Sequence, residues 1–134
     1  MIVMKFGGTS VQDAAAMDRT LAIVESRLSR APVLVASAMA KVTDQLQLVA
    51  RLVGEGKQEE CEALVAALEQ RHTACARAFL PEPHLGRCLA EIGAILEQLR
   101  ALTRALAMLK EGSKRSNDAI LSFGERLSTT ILAH

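Results

Sequence analysis

The first ten residues, MIVMKFGGTS (1–10), decide how the chain is read. An apolar run leads at once into Lys5, Phe6, Gly7, Gly8 and two hydroxyls. A secretory signal peptide places its charge before a longer apolar run, so that reading does not fit. Residues 1–6 read instead as a short buried strand that Gly7-Gly8 ends. Two successive glycines let the backbone approach an anion with no Cβ in the way. Amide groups at the start of a following helix then point at a phosphate, and the helix dipole adds to the attraction. Lys5, at the carboxyl end of the strand, places a positive charge on the phosphoryl group. The order differs from the P-loop, where the lysine follows the glycines, and from G-x-G-x-x-G. On the residues alone, an ordinary strand–turn–helix with a permissive Gly-Gly is an equal alternative.

Thr9 or Ser10 offers a helix N-cap, with Asp13 three residues after Ser10. Val11 to Leu28 keeps helical spacing until "SRAP" (29–32) breaks it, and "VLVASA" (33–38) reads as a second buried strand. Strand, helix, strand within about forty residues is the βαβ unit, parallel and right-handed. Thr43 then caps a helix to Val53, ended by "GEG" (54–56). Lys57 to Leu80 and His84 to Leu109, parted by "PEP" (81–83), carry long apolar stripes and predict an αα-hairpin. "KEGSKRSND" (110–118) reads as a polar loop holding a solvated Lys114-Arg115 pair, and a last helix runs from about Asn117 to Ala133. Two strands this apolar need cover on both faces, so the chain reads as the first part of a larger α/β domain.

Composition removes several classes of function. The 134 residues are half apolar, with no Trp or Tyr and three Phe, so Leu, Ala, Val and Ile must build the core. Sixteen basic and fifteen acidic residues leave a formal charge of +1, without the basic excess of a nucleic-acid binder. No apolar stretch reaches the ~18 residues that span a bilayer. Cys61, Cys75 and Cys88 include no C-x-x-C pair and read as small hydrophobes in a reducing, cytoplasmic compartment. Cys61, Cys75, His72 and His84 fit no zinc spacing, so no metal site is expected.

Three more positions bear on chemistry. Ser37, at the end of the second strand, falls beside Lys5 if the strands are neighbours, and Thr43 falls at the next helix start. Hydroxyls there hold a carboxylate or, more routinely, cap a helix. In "SFGERLS" (122–128), Glu125 reads as a receiver for an ammonium group or as a surface carboxylate paired with Arg126. Gly124 weakens its helix and so marks a close backbone approach.

"MKFGGTSV", "VASAMAKVTDQL" and "SFGERLS", in this order and spacing, closely resemble the start of aspartate kinase, a member of the amino acid kinase family. The resemblance covers essentially the whole chain, residues 1–134, as the N-terminal, substrate-side part of an amino acid kinase domain. It implies an α/β fold, part of an α/β/α sandwich, and ATP-dependent phosphorylation of the β-carboxylate of L-aspartate. By motif, Lys5, Gly7, Gly8, Thr9 and Ser10 meet the ATP phosphates, with Lys5 catalytic. Ser37 and Thr43 meet the aspartate and Glu125 binds its amino group, while Mg²⁺ travels with the nucleotide. The family usually reads "SAMAGVTN" where this chain has "SAMAKVTD", so Lys41 and Asp44 are departures at the site. The family also continues into the second half of the ATP site and ACT regulatory domains, which these residues do not contain. The resemblance therefore implies impaired turnover for these residues alone, and a homodimer or larger assembly. Two other readings stand beside it. One is a non-catalytic, self-associating module that keeps the fold. The other is a kinase for another carboxylate, against which "KFGGTS" and "SFGERLS" favour aspartate.

Overall fold

In the computed structural model, which describes residues 1–134, β1 (Ile2–Phe6) and β2 (Pro32–Ala36) form a two-stranded parallel sheet. The register pairs Val3 with Val33, Lys5 with Val35 and Phe6 with Ala36. A 3₁₀ turn over Gly8–Val11 leads into the crossover helix α1 (Ala14–Glu25). Four helices follow: α2 (Val42–Gly54), α3 (Gln58–Phe79), α4 (His84–Leu109) and α5 (Lys114–Ala133). The parallel βαβ start and the α3–α4 hairpin are as the patterning predicts.

Several boundaries differ, each for a local reason. Neither Thr9 nor Ser10 caps α1, because both lie inside the 3₁₀ turn. Asp13 caps it instead, Oδ1 accepting from Ala16 N at 2.8 Å. That helix stops at Glu25, and a second short turn over Leu28–Arg30 follows. β2 closes at Ala36, so Ser37 and Ala38 lie past its end. Thr43 does not cap α2; Lys41 holds the cap position with no side-chain cap bond. The polar stretch 110–118 is only partly loop. Ser113 accepts from Ser116 N at 3.2 Å and starts α5 at Lys114, which places Lys114 and Arg115 in its first turn.

The core is aliphatic, with Leu46, Leu68, Ile92, Leu96, Leu99, Ile120, Leu127 and Ile131 fully buried between the helices. Their three-and-four spacing makes one apolar stripe per helix, and the stripes meet. Arg100, with 13 % of its side chain exposed, ties the hairpin by reaching Glu62 at 2.8 Å, Glu69 at 2.5 Å and Glu97 at 2.9 Å. The helical body covers one face of the sheet, where Phe6 and Ala36 join the core. The other face carries Val3, Val33 and Val35, exposed by 64 %, 46 % and 44 %. The strands' composition predicts cover on both faces, and the helical body supplies it on one.

Candidate active site

The carboxyl edge of the sheet gathers the chemistry-bearing residues. β1 delivers Lys5 one residue before its end, on the exposed face that it shares with Val35. The Lys5 side chain has no carboxylate within 4 Å, whereas Lys41, Lys57, Arg100 and Arg104 each have one. Beyond it Gly7 and Gly8 turn the chain, and Ser10 N closes the turn on Gly7 O at 3.0 Å. The two glycines are glycine for different reasons. A Cβ on Gly8 would come within 2.9 Å of Ala38 O and 3.3 Å of Ala40 N. Gly8 is therefore the place where the turn is pressed against the segment after β2, and Ala40 N donates to Gly8 O at 3.1 Å. Gly7 has extended backbone, φ −79° and ψ 176°, and nothing lies within 4 Å of where its Cβ would be. Inside this chain, Gly7 leaves open space.

Ser37 lies two residues past Lys5's partner Val35 and one past Phe6's partner Ala36, so it is not directly beside Lys5. Its N–H donates to Phe6 O at 3.0 Å and extends the pairing past the strands. Lys41 takes the left-handed conformation, φ 71° and ψ −7°, and opens α2. Thr43 follows in the first turn, exposed, and its hydroxyl makes no hydrogen bond within the chain. Routine capping, one of its two readings, is thereby removed.

Helix α5 runs back along β2. Ser128 Oγ donates to Ser37 O at 2.7 Å, and a Cβ on Gly124 would fall 2.8 Å from Ala38 Cβ. Gly124 thus marks a close approach, as a glycine inside a helix predicts. The buried Ser128 is a positioning residue that sequence reasoning passed over, although it lies on the Gly124 face four residues on. Glu125 sits a turn before Ser128, level with the end of β2, and is exposed. It is not paired with Arg126, which instead donates to Gln98 Oε1 at 2.7 Å and stacks 4.6 Å over Phe123. An unpaired cation, an unpaired carboxylate and free hydroxyls therefore share one open edge.

This edge is a ledge and not a cavity. The most voluminous hollow, about 700 Å³, lies at the far end of the hairpin between Gly56 and Arg104. Its polar, open walls carry none of the residues above. No three His, Cys, Asp or Glu side chains come together as a metal would need. All three cysteines are free and buried, and burial pushes Cys75 and Cys88 up to about 11, so neither is a nucleophile at neutral pH.

A parallel strand–glycine turn–helix, held beside a second strand–helix loop and followed by a helical body, defines an α/β protein of the βαβ type. The sequence profile of the amino acid kinase family matches residues 1–134. The chain belongs to that family. Aspartokinase 1 and aspartokinase 3 of Arabidopsis thaliana, both chloroplastic, are 34 % and 36 % identical to it, each over 98 % of this chain. The chain spans 22 % and 23 % of their lengths. E. coli aspartokinase III in complex with lysine and aspartate superposes with a TM-score of 0.81 at 32 % identity, over 99 % of this chain and 28 % of that one. The same enzyme with aspartate and ADP gives 0.78 at 33 % identity, over 98 % and 28 %. The two strands and the helices after them are the N-terminal part of the aspartokinase fold.

Proposed function

We propose that residues 1–134 form the N-terminal, acceptor-side part of an ATP-dependent aspartate kinase domain, making 4-phospho-L-aspartate for amino-acid biosynthesis. The observation that carries this reading is the carboxyl edge itself, where Lys5 on β1 and Glu125 on α5, both flanking β2, stand without an ion-pair partner. Lys5, Gly7, Gly8, Thr9 and Ser10 would receive the nucleotide phosphates. Gly7 fits that role because the space its Cβ would fill is open. Ser37 and Thr43 would hold the aspartate through its carboxylates, and Glu125 its ammonium group. A β-carboxylate is ionised at neutral pH, so the reaction needs no general base. One of its oxygens bonds to the γ-phosphorus, the bond to the β–γ bridging oxygen breaks, and ADP leaves. Mg²⁺ would arrive on the nucleotide and neutralise phosphate charge, while the protein's part is positioning and charge.

The second half of the ATP site and the ACT regulatory domains would lie outside these residues, so turnover by these residues alone would be impaired. The uncovered Val3, Val33 and Val35 favour a homodimer or larger assembly, and equally the second reading, a self-associating module without catalysis. The free thiols fit a reducing compartment such as the cytoplasm. No helix is long and apolar enough to cross a membrane. Titration of the ¹⁵N-labelled chain with L-aspartate tests the acceptor site. Saturable shifts at Ser37, Thr43 and Glu125 that Glu125→Gln removes are expected; aspartate that leaves these amides unmoved defeats the assignment.

A further inference from the structure

Behind the two site loops lies a groove of about 420 Å³ between the start of α1 and α3. Met39 and Cys75, exposed by 2 % and 7 %, form its floor, and alanines of α1 and α3 line the walls. The polar residues on its rim are Gln12, Asp13 and Arg71. Arg71 is partly buried yet has no carboxylate within ion-pair distance. Its single hydrogen bond within the chain is a long 3.5 Å contact from Nη2 to Gln12 O. Arg100, the other partly buried arginine, engages three carboxylates. Asp13 does not fill the vacancy, because its Oδ1 caps α1 at 2.8 Å and the carboxylate stays beyond 4 Å from Arg71. An apolar floor of ligand size with one guanidinium at the rim that no carboxylate pairs with is the form of a small-molecule carboxylate site.

We propose that this groove binds a small apolar carboxylate, its chain on Met39 and Cys75 and its anion on Arg71, and that occupancy moves both site loops. The coupling follows from the walls. Met39 precedes Ala40, whose N–H holds Gly8 O, and Gln12 and Asp13 directly follow the Gly8–Val11 turn. A ligand there presses on the backs of both loops. Binding itself is independent of the kinase reading; only its regulatory meaning rests on that reading.

The test is titration of the ¹⁵N-labelled chain with hexanoate, with hexanamide as the uncharged control. Saturable hexanoate shifts are expected at Ala14, Met39, Ala74 and Ala78, with accompanying shifts at Gly7, Gly8 and Lys41. Arg71→Gln should weaken binding by roughly tenfold, the loss of one partly screened charge-assisted contact. Arg71→Lys should restore part of it, which separates charge from packing, and Lys5→Ala should leave groove binding unchanged. No saturable shift in the wild-type chain, or equal affinity for hexanamide, overturns the site. Groove shifts with Gly7, Gly8 and Lys41 unmoved overturn the coupling. Groove binding in a chain that ignores aspartate would sink the kinase reading and leave the groove standing.

Discussion

At the scale of single residues, the two glycines of the turn separate fold from function. Gly8→Ala forces a Cβ against the Ala38 carbonyl and is expected to cost about 1–3 kcal/mol, as overpacking does. Gly7→Ala meets nothing and sits in a backbone region alanine accepts, so stability should hold or rise by up to ~1 kcal/mol. Urea melts of the two variants check the pair, and equal losses would contradict the division. Lys41 poses the reverse case. Its left-handed φ of 71° strains any residue with a Cβ, and its exposed partner Asp44, 3.9 Å away, contributes little. Lys41→Gly should therefore stabilise the chain by about 1 kcal/mol; a loss of stability would show that the lysine side chain supports the fold. The sequence marks Lys41 as a departure from the family's glycine, but φ is not readable from a lysine, so its strain emerges only in three dimensions.

At the scale of elements, α5 owes its place to Gly124 and Ser128. Gly124→Ala would push a Cβ to 2.8 Å from Ala38 Cβ and 3.2 Å from Leu46 Cδ1. A loss of about 1–3 kcal/mol is expected, with the end of β2 and the first turn of α2 showing the largest amide shifts. Helix α3 carries the pH-sensitive group. His72 is fully buried, its Nδ1 lies 2.7 Å from Leu68 O, and its Nε2 has no partner. Burial holds its pKa below the ordinary 6.5, so the neutral ring is the folded form. Below pH 6.5 the unfolded chain takes up the proton first. The stability His72 contributes is thus complete above that pH and lost as pH falls below it. Wild-type stability should drop more steeply than that of His72→Phe between about pH 7 and pH 5.5, by at most ~1.4 kcal/mol per pH unit. Parallel curves would refute this. The stripe of α3 marks His72 as inward-facing, but an orphaned nitrogen depends on neighbours from other helices, which periodicity does not report. Helix starts were misread at three places: Thr43 lies inside the first turn of α2, Ser113 opens α5 ahead of Asn117, and Asp13 caps α1. Asp13 outbids Thr9 and Ser10 because the 3₁₀ turn consumes both.

At the scale of the whole molecule, the parallel strand pair, the crossover helix and the hairpin were all legible, because each rests on an apolar period that nothing overrides. The meeting of Lys5, Ser37, Thr43 and Glu125 at one edge was legible only through motif order. The physical cause is the antiparallel run of α5 along β2, set by contacts that are distant in sequence. The groove at Arg71 left no trace in the sequence, since an unpaired arginine looks like any other. The measurement that most directly tests the central claim is hydroxylamine trapping of acyl phosphate. It is made on a chimera in which residues 1–134 replace the matching N-terminal segment of E. coli aspartokinase III, supplied with Mg-ATP. Aspartate-dependent hydroxamate, absent with glutamate and abolished by Lys5→Ala, is the predicted result. A folded chimera that makes none, or whose yield survives Lys5→Ala, would contradict the assignment of this edge as an aspartate kinase site.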